Sequence, residues 1–192
     1  MCRALCRAPY PTPAESLARI RRHAENDVPE AIRALGDAYC SPAVTRFPFV
    51  VKSTKKAAKI YKRAVELGEV NAMVTLAWLY QNGDGVKLDM KKATELYRRA
   101  ADRGQAQAQF ELGKIIDDPD AEEGSDEAFR LFKLSAEQGY TAAEFMVGVC
   151  YGAGRGVGED RGEADRWLSR AAAKGHERAA QGLAYLRNGA IY

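Results

Sequence analysis

The chain has 192 residues, of which 46% are hydrophobic and 29% are charged, a composition typical of one ordinary globular domain. Its 29 basic and 26 acidic residues leave a net charge of only +3, so we expect no strong field that would attract nucleic acid or an anionic membrane. No apolar run approaches the roughly 18 residues that a membrane-spanning helix needs. These properties favour a soluble protein without a nucleic-acid partner.

The chain begins with a basic segment, residues 1–13, that we predict to be an irregular leader. It contains Arg3 and Arg7, and it has no apolar stretch long enough for a secretory signal. We prefer a cytoplasmic protein with an extended leader, and a mitochondrial presequence is the alternative because arginine is frequent and acid is scarce. The stretch from Ser16 to Glu25 then predicts a single helix that covers the N-terminal end of the domain.

The cysteines form no recognisable disulfide framework or metal site. They are Cys2, Cys6, Cys40 and Cys150. Their spacing is irregular and includes no CxxC pair, which favours free thiols in a reducing compartment. A metal site at Cys2, Cys6 and Cys40 would lack a fourth ligand. A thiol-dependent enzyme or redox sensor that uses one of these three residues is an alternative function, and it would require a depressed thiol pKa.

A repeat with a stride of about 36 residues dominates the rest of the sequence. Its marker is a glycine, and the four marker glycines are separated by 36, 35 and 36 residues: Gly68, Gly104, Gly139 and Gly175. An alanine follows each marker by four residues and an aliphatic residue follows by eight. A small residue follows by nine: Ala77, Gly113, Gly148 and Ala184. These offsets predict one stripe of a helix, called helix A, with a small residue where a neighbouring helix can approach closely.

Counting backward from each marker predicts a second helix, called helix B. A large residue lies seven positions before each glycine: Tyr61, Tyr97, Phe132 and Leu168. Ser53, Asp89 and Asp160 lie fifteen positions before their glycines, where the helix N-cap is expected. The marker glycine suits the residue that follows a helix with positive φ. Because neither helix can bury its apolar stripe alone, we predict that successive pairs stack.

The same register continues upstream, with Asp27 in the marker position. The separation of Asp27 from Gly68 is 41 residues, and the surplus lies between the two helices at 40–51. Within this insertion, a second candidate binding surface is formed by Phe47, Phe49, Val50 and Val51. We prefer the interpretation in which the insertion folds back over the first repeat.

At these residues the chain resembles the Sel-one-like repeat family, a branch of the tetratricopeptide-like solenoids. The resemblance rests on the Ala-x3-Leu-Ala/Gly-x2-Tyr pattern of helix A and on two loops, NGDGVKLD at 82–89 and GAGRGVGED at 152–160. It covers roughly residues 28–187, although the first repeat and residues 117–124 of the third lack the glycine loop. It implies an all-α, right-handed α-solenoid of antiparallel helix pairs that works as an adaptor and has no common active site.

From the stride we expect one solenoid domain at residues 14–192. Its predicted units are 28–68, 69–104, 105–139, 140–175 and a partial unit at 176–192. The last unit has a helix A without a following helix B. Leu183, Leu186 and Ile191 would then leave an apolar edge, which could support self-association or a structural role in a larger assembly.

Three features that could carry chemistry have simpler interpretations. The glycines at 152–158 resemble a phosphate loop, but such a loop follows a strand, whereas helices flank this one, so we predict a turn between helices A and B. The acidic residues at 117–123 lack the spacing of a calcium loop, which favours a hydrated turn. Base-reading repeats need polar side chains over a basic groove, and the matching positions here are largely apolar. We therefore expect no catalytic residue, metal, cofactor or nucleic-acid partner.

The candidate binding residues lie on helix A. In the related tetratricopeptide geometry helix A lines the concave surface, and the positions six and ten after each marker point inward. Position six holds Val74, Phe110 and Phe145, and position ten holds Trp78, Lys114, Val149 and Tyr185. Aromatic side chains are common anchors in peptide grooves, so we predict a non-catalytic scaffold that binds a protein or peptide on this face. The alternative is that these side chains pack between adjacent A helices and are mostly buried.

Overall fold

All regular secondary structure in residues 12–41, 47–117 and 122–187, the part described by the computed structural model, is α-helical. The all-α prediction is therefore confirmed. None of the described helices is long and apolar enough to cross a membrane. Several predicted features lie outside these ranges: Cys2, Cys6, Asp118, Asp120, Ile191 and most of the predicted leader. The side chains at 122–125 are also not described.

The helices form two compact units. The first unit, Met1–Asp89, contains α1 (Pro13–Glu25), α2 (Pro29–Cys40), α3 (Thr54–Glu66) and α4 (Val70–Asn82). The second unit, Met90–Tyr192, contains α5 (Met90–Ala101), α6 (Ala106–Ile116), α7 (Glu122–Glu137), α8 (Thr141–Ala153), α9 (Arg161–Ala173) and α10 (Glu177–Arg187). Within each unit, every helix packs against the next one along the chain, and α10 also contacts α8.

The marker positions end the B helices as predicted. The four marker glycines all have positive φ, between 80° and 86°. Asp27 takes the same conformation with φ of 56°, the one non-glycine residue with positive φ in the described part of the chain. Its carboxylate accepts a hydrogen bond of 2.9 Å from Arg63 Nε, 36 residues later. The marker register therefore does extend to a residue that is not glycine.

The starts of the B helices also follow the sequence prediction. Ser53 is the N-cap of α3 and accepts a hydrogen bond from the Lys56 amide. Asp160 is the N-cap of α9 and accepts from the Glu163 amide at 2.9 Å. The helix α5 begins at Met90, directly after Asp89. The helices α3 and α9 therefore start where a short polar side chain satisfies a free backbone amide.

The predicted lone helix at the N-terminal side is α1, which packs against α2. It begins at Pro13, three residues before the predicted start, because Thr12 and Glu15 form a capping box there. In that box the Thr12 hydroxyl accepts from the Glu15 amide and the Glu15 carboxylate accepts from the Thr12 amide. Leu17 on α1 is buried together with Ala38 of α2 and Phe47 of the insertion.

The close approach of helices A and B within a repeat depends on the small residue at position nine. A Cβ atom built at Gly36 would lie 2.6 Å from Tyr61 Cε1, and one at Gly113 would lie 2.7 Å from Phe132 Cε1. A Cβ atom at Gly148 would similarly lie 2.8 Å from Leu168 Cγ. These three contacts join position nine of helix A to the large residue seven before the next marker. The prediction that the small residue permits close packing is confirmed.

The glycine-rich loops are turns that end helix A. Gly83 and Gly154 are the C-caps of α4 and α8, with φ of 68° and 67°. In the first loop, Gly85 lies against the start of α3, where a Cβ atom would come within 2.4 Å of the Thr54 carbonyl carbon. In the second loop, Arg155 donates a hydrogen bond of 2.7 Å to Asp117 at the end of α6. The loops thus also pack on the preceding repeat.

Two glycine-to-alanine substitutions test the close approach. We expect Gly113→Ala to lower the free energy of unfolding by about 2 kcal/mol, because the added methyl group overlaps the fully buried ring of Phe132. Gly152→Ala is the matched control, since its Cβ atom would lie 3.8 Å from the Ala164 Cβ, an ordinary contact. We expect Gly152→Ala to leave stability unchanged or raise it by up to about 1 kcal/mol through helix propensity. Urea unfolding followed by circular dichroism measures both variants. Equal changes in the free energy of unfolding would contradict the need for a small residue at position nine.

Candidate protein-binding surfaces

The candidate residues at position six are mostly buried. Val74 and Phe110 expose only 5% and 9% of their surface, and Phe145 is half-buried. Phe110 lies beside Phe132 and Tyr140, with ring centroids 5.9 and 5.2 Å away. This column therefore has the burial that the alternative interpretation predicts, in which the side chains pack between repeats.

The partner of position six is the first residue after the next marker. The Phe145 ring stacks on His176, with centroids 4.7 Å apart and an angle of 21° between the planes. The Phe110–Tyr140 contact joins the same two positions one repeat earlier. In the first unit, Arg33 stands at position six and its Nε lies 3.6 Å from a carboxylate oxygen of Glu69. Sequence reasoning missed this pairing, although the matched residue types at the two positions are its signal.

The candidate residues at position ten are more exposed. Trp78 exposes 45% and Tyr185 exposes 58% of its surface, whereas Val149 is half-buried. Lys114 is exposed; its Nζ lies 2.8 Å from a Glu111 carboxylate oxygen and 5.1 Å from the centroid of the Phe110 ring. Position ten is thus the more accessible of the two predicted columns. Trp78 belongs to the first unit, and the other three belong to the second.

The two phenylalanines of the insertion have different surroundings. Phe47 is buried with Leu17 and Ala38, in agreement with the fold-back interpretation. Phe49 exposes 54% of its surface and lies edge-on to Phe47, with centroids 6.1 Å apart. Phe49 lines an open groove of about 400 Å³ on the first unit. The sequence suggested Phe49 as a binding residue but not the groove, since the lining outside the insertion comes from α1, α2 and α3.

A protein-family model for the Sel1 repeat matches the chain four times, at residues 29–69, 70–105, 106–140 and 141–176. The chain belongs to the Sel1 repeat family. Each match begins and ends one residue after the corresponding unit of the sequence analysis. Sel1 repeat proteins generally mediate protein–protein interactions, and their fold is generally a non-catalytic scaffold.

This Sel1 repeat chain is similar to two solved structures and one curated protein. A protective antigen of uropathogenic Escherichia coli strains, which displays the Sel1-like repeat fold, is 30% identical with a TM-score of 0.80 over 91% of this chain and 37% of the antigen. A Sel1 repeat protein from Oxalobacter formigenes is 26% identical with a TM-score of 0.76 over 87% of this chain and 66% of that chain. Chitin synthase regulatory factor 3 of Schizosaccharomyces pombe is 34% identical over 142 residues, which are 70% of this chain and 15% of that protein.

These similarities confirm the predicted α-solenoid class. The chain spans little more than a third of the Escherichia coli antigen and about one seventh of the yeast protein. The shared part is therefore the repeat architecture.

A buried ion cluster in the second unit was not anticipated from the sequence. Glu144 on α8 is fully buried, and its Oε1 atom lies 2.8 Å from Arg170 Nη2 and 2.9 Å from Lys174 Nζ. Lys174 also donates to the Gly139 carbonyl at 2.9 Å. The other oxygen of Glu144 has no hydrogen-bond partner among the described residues. The cluster joins α8 to the end of α9 through these ion pairs.

The cysteines in the described residues are poor candidates for a reactive thiol. Burial raises the pKa of the Cys40 thiol, the opposite of what the thiol-enzyme alternative requires. Cys150 is buried, and burial together with the nearby Asp117 carboxylate raises its pKa to about 11. The two remaining cysteines, Cys2 and Cys6, lie outside the described residues.

The buried ion cluster generates a prediction about stability. The double substitution Arg170→Met/Lys174→Met leaves the Glu144 carboxylate buried without a cation, so we expect the free energy of unfolding to fall by about 3 kcal/mol. Glu144→Gln should cost less, about 1 kcal/mol, because the half-exposed Arg170 and Lys174 can be hydrated instead. Urea unfolding measures both variants. Equal losses would contradict the asymmetry, and adding Glu144→Leu to the double variant should restore part of the loss.

The raised pKa of Cys150 predicts how stability depends on pH. Because the folded thiol holds its proton more tightly than its ordinary pKa of 9.0 allows, the stability linked to this proton is present below pH 9 and is lost as pH rises from about 9 towards about 11. We therefore expect Cys150→Ala to show a shallower loss of unfolding free energy than wild type between these values. Urea unfolding at a series of pH values measures the two slopes. Identical slopes would show that the Cys150 proton is not linked to folding.

Proposed function

We propose that the chain is a non-catalytic adaptor that binds a peptide or protein segment on the exposed side of its A helices. The observation that carries the proposal is Trp78. Its neighbours Ala77 and Leu79 on α4 are fully buried, yet the indole is 45% exposed. Tryptophan is enriched among the residues that dominate binding at interfaces, and this exposed indole is accessible to a partner.

The second unit offers a comparable arrangement by itself. Lys114 and Tyr185 are exposed at position ten, while Phe110 at position six is held by Phe132 and Tyr140. In this arrangement the position-six rings form a fixed base and the position-ten side chains are available to a partner. Anchors that are already ordered lose little conformational entropy on binding, which supports this division of roles.

An adaptor function agrees with the comparisons at the level of the family. Chitin synthase regulatory factor 3 is named for regulation rather than for catalysis. By this proposal the present chain likewise acts on a partner by binding it, in the cytoplasm, where its thiols stay reduced. The raised pKa of Cys40 and of Cys150 supports the non-catalytic role, because the thiolate and not the thiol is the nucleophile.

A structural subunit that associates through the C-terminal helix is less well supported. Leu183 and Leu186 of α10 pack against the buried cluster of Leu168, Ala171 and Ala179, so part of the apolar surface is already covered. Arg187 stands where other repeats place an aromatic or aliphatic residue, and it makes a two-bond ion pair with Asp165 at 2.6 and 3.0 Å. A charged, paired residue at this position favours contact with water over self-association.

The adaptor proposal is tested by a matched pair of exposed side chains. We expect Trp78→Ala to reduce recovery of specific partners about tenfold in quantitative affinity capture from native cells, because loss of a central aromatic anchor costs on the order of 1–2 kcal/mol. Leu134→Ala is the control, since Leu134 is 43% exposed but lies on the B helix α7. Circular dichroism and thermal unfolding verify that both variants fold. Undiminished recovery by folded Trp78→Ala would end the proposal for this residue.

A further inference from the structure

The open groove beside Phe49 on the first unit is a surface that the A-helix proposal does not use. One wall is a stripe along α1, made by Ala14, Leu17, Ala18 and Arg21. The lining of the groove also includes Phe49, Val50 and Val51 of the insertion, Tyr39 of α2 and Lys56 of α3. The groove encloses about 400 Å³, enough for two or three side chains of a ligand.

The walls of the groove are fixed by buried contacts. The insertion is held by Phe47, which packs on Leu17 and Ala38, and by a hydrogen bond of 2.9 Å from the Val50 amide to the Phe47 carbonyl. The Ser53 amide donates to the Tyr39 carbonyl at 2.9 Å. The groove is therefore preformed, and a ligand would not need to order these segments.

The groove combines an apolar surface with a positive rim. Phe49 and Val51 expose large parts of their side chains to solvent. Arg21 and Lys56 are the charged residues of the lining, and the lining contains no carboxylate among the described residues. Neither cation makes an ion pair with another described residue, and Lys56 Nζ lies 5.6 Å from the centroid of the Tyr39 ring. The positive end of the α3 dipole adds to this field, because Lys56 lies in the first turn of α3.

These features select the chemistry of a ligand. An apolar lining that also carries two cations complements a large apolar side chain flanked by carboxylates. Residues 1–11 of this chain carry Arg3 and Arg7 and no acidic residue, so their charge has the same sign as that of the rim and does not complement it. We propose that this groove binds an acidic peptide segment with a central aromatic or aliphatic residue, at a site separate from Trp78.

The proposal is tested with synthetic peptides and fluorescence anisotropy. The probe is a short labelled peptide with a central Leu-Phe pair flanked by glutamates and capped at both ends, and its counterpart has lysines in place of the glutamates. We expect the full chain to bind the acidic peptide and not the basic one. The charge reversal Arg21→Glu/Lys56→Glu should weaken binding of the acidic peptide about tenfold and should favour the basic one. Phe49→Ala should weaken binding by a similar factor.

The matched control reverses two cations on the same helices that do not line the groove. Arg19→Glu/Lys59→Glu changes the net charge by the same amount, and both residues are exposed. We expect this control, and Trp78→Ala, to leave the affinity for the acidic peptide within about twofold of wild type. Circular dichroism checks the fold of each variant. Trp78→Ala tests only the A-helix surface, and Phe49→Ala tests only the groove. Either proposal can therefore be disproved while the other stands.

Three results would overturn the groove proposal. The first is equal affinity for the acidic and basic peptides, or equal loss in both charge-reversal variants, which would indicate a general charge effect. The second is binding to vesicles containing phosphatidylserine, with no peptide binding, because it would assign the surface to a membrane. The third is a concentration-dependent increase in mass that Phe49→Ala abolishes, because it would assign the groove to a second copy of the chain.

Discussion

The size match between position nine of helix A and the large residue of helix B is the constraint on which the helix pairs α2–α3, α6–α7 and α8–α9 depend. At Gly36, Gly113 and Gly148 the partner ring or side chain occupies the space that a Cβ atom would need. Large apolar groups can bury their surface only when a facing element approaches closely, and dispersion contacts fall off steeply with distance. The alternation of large and small residues therefore sets the distance between the helices, and the marker residue with positive φ returns the chain for the next pair.

Contacts between successive repeats also join two fixed positions, but the residue types at these positions vary more. Position six meets the first residue after the next marker in three repeats, through an ion pair in the first repeat and an aromatic contact in the third and in the fourth. The same plasticity appears in the buried cluster of Glu144, where a carboxylate and two cations lie at a helix contact. Charge and aromatic pairs are directional, so they fix the register of the helices in addition to burying surface.

For function, the side chains that hold the repeats together are distinct from the side chains that are exposed to a partner. The position-six side chains Val74, Phe110 and Phe145 are engaged in packing, whereas Trp78 and Tyr185 at position ten reach solvent. The insertion of the first repeat provides a different kind of surface, because Phe47 anchors it and leaves Phe49 at the edge of a groove with a positive rim. A repeat protein can thus vary exposed positions and insertions without disturbing the contacts that hold its pairs together.

The sequence by itself determined the helices, their caps and the marker register, because helical periodicity, Ser53 and Asp160 as N-caps, and the need for positive φ are local properties of the chain. It also determined Asp27 as a marker without glycine, since the columns around it repeat. The burial of Phe110 and the exposure of Trp78 were decided only by the tertiary structure. The spacing places positions six and ten on the same face of helix A, but it does not show how far a neighbouring helix covers that face. The ion partners of Glu144 and the walls of the groove were decided in the same way, since their residues are distant in sequence and meet only when the helices pack.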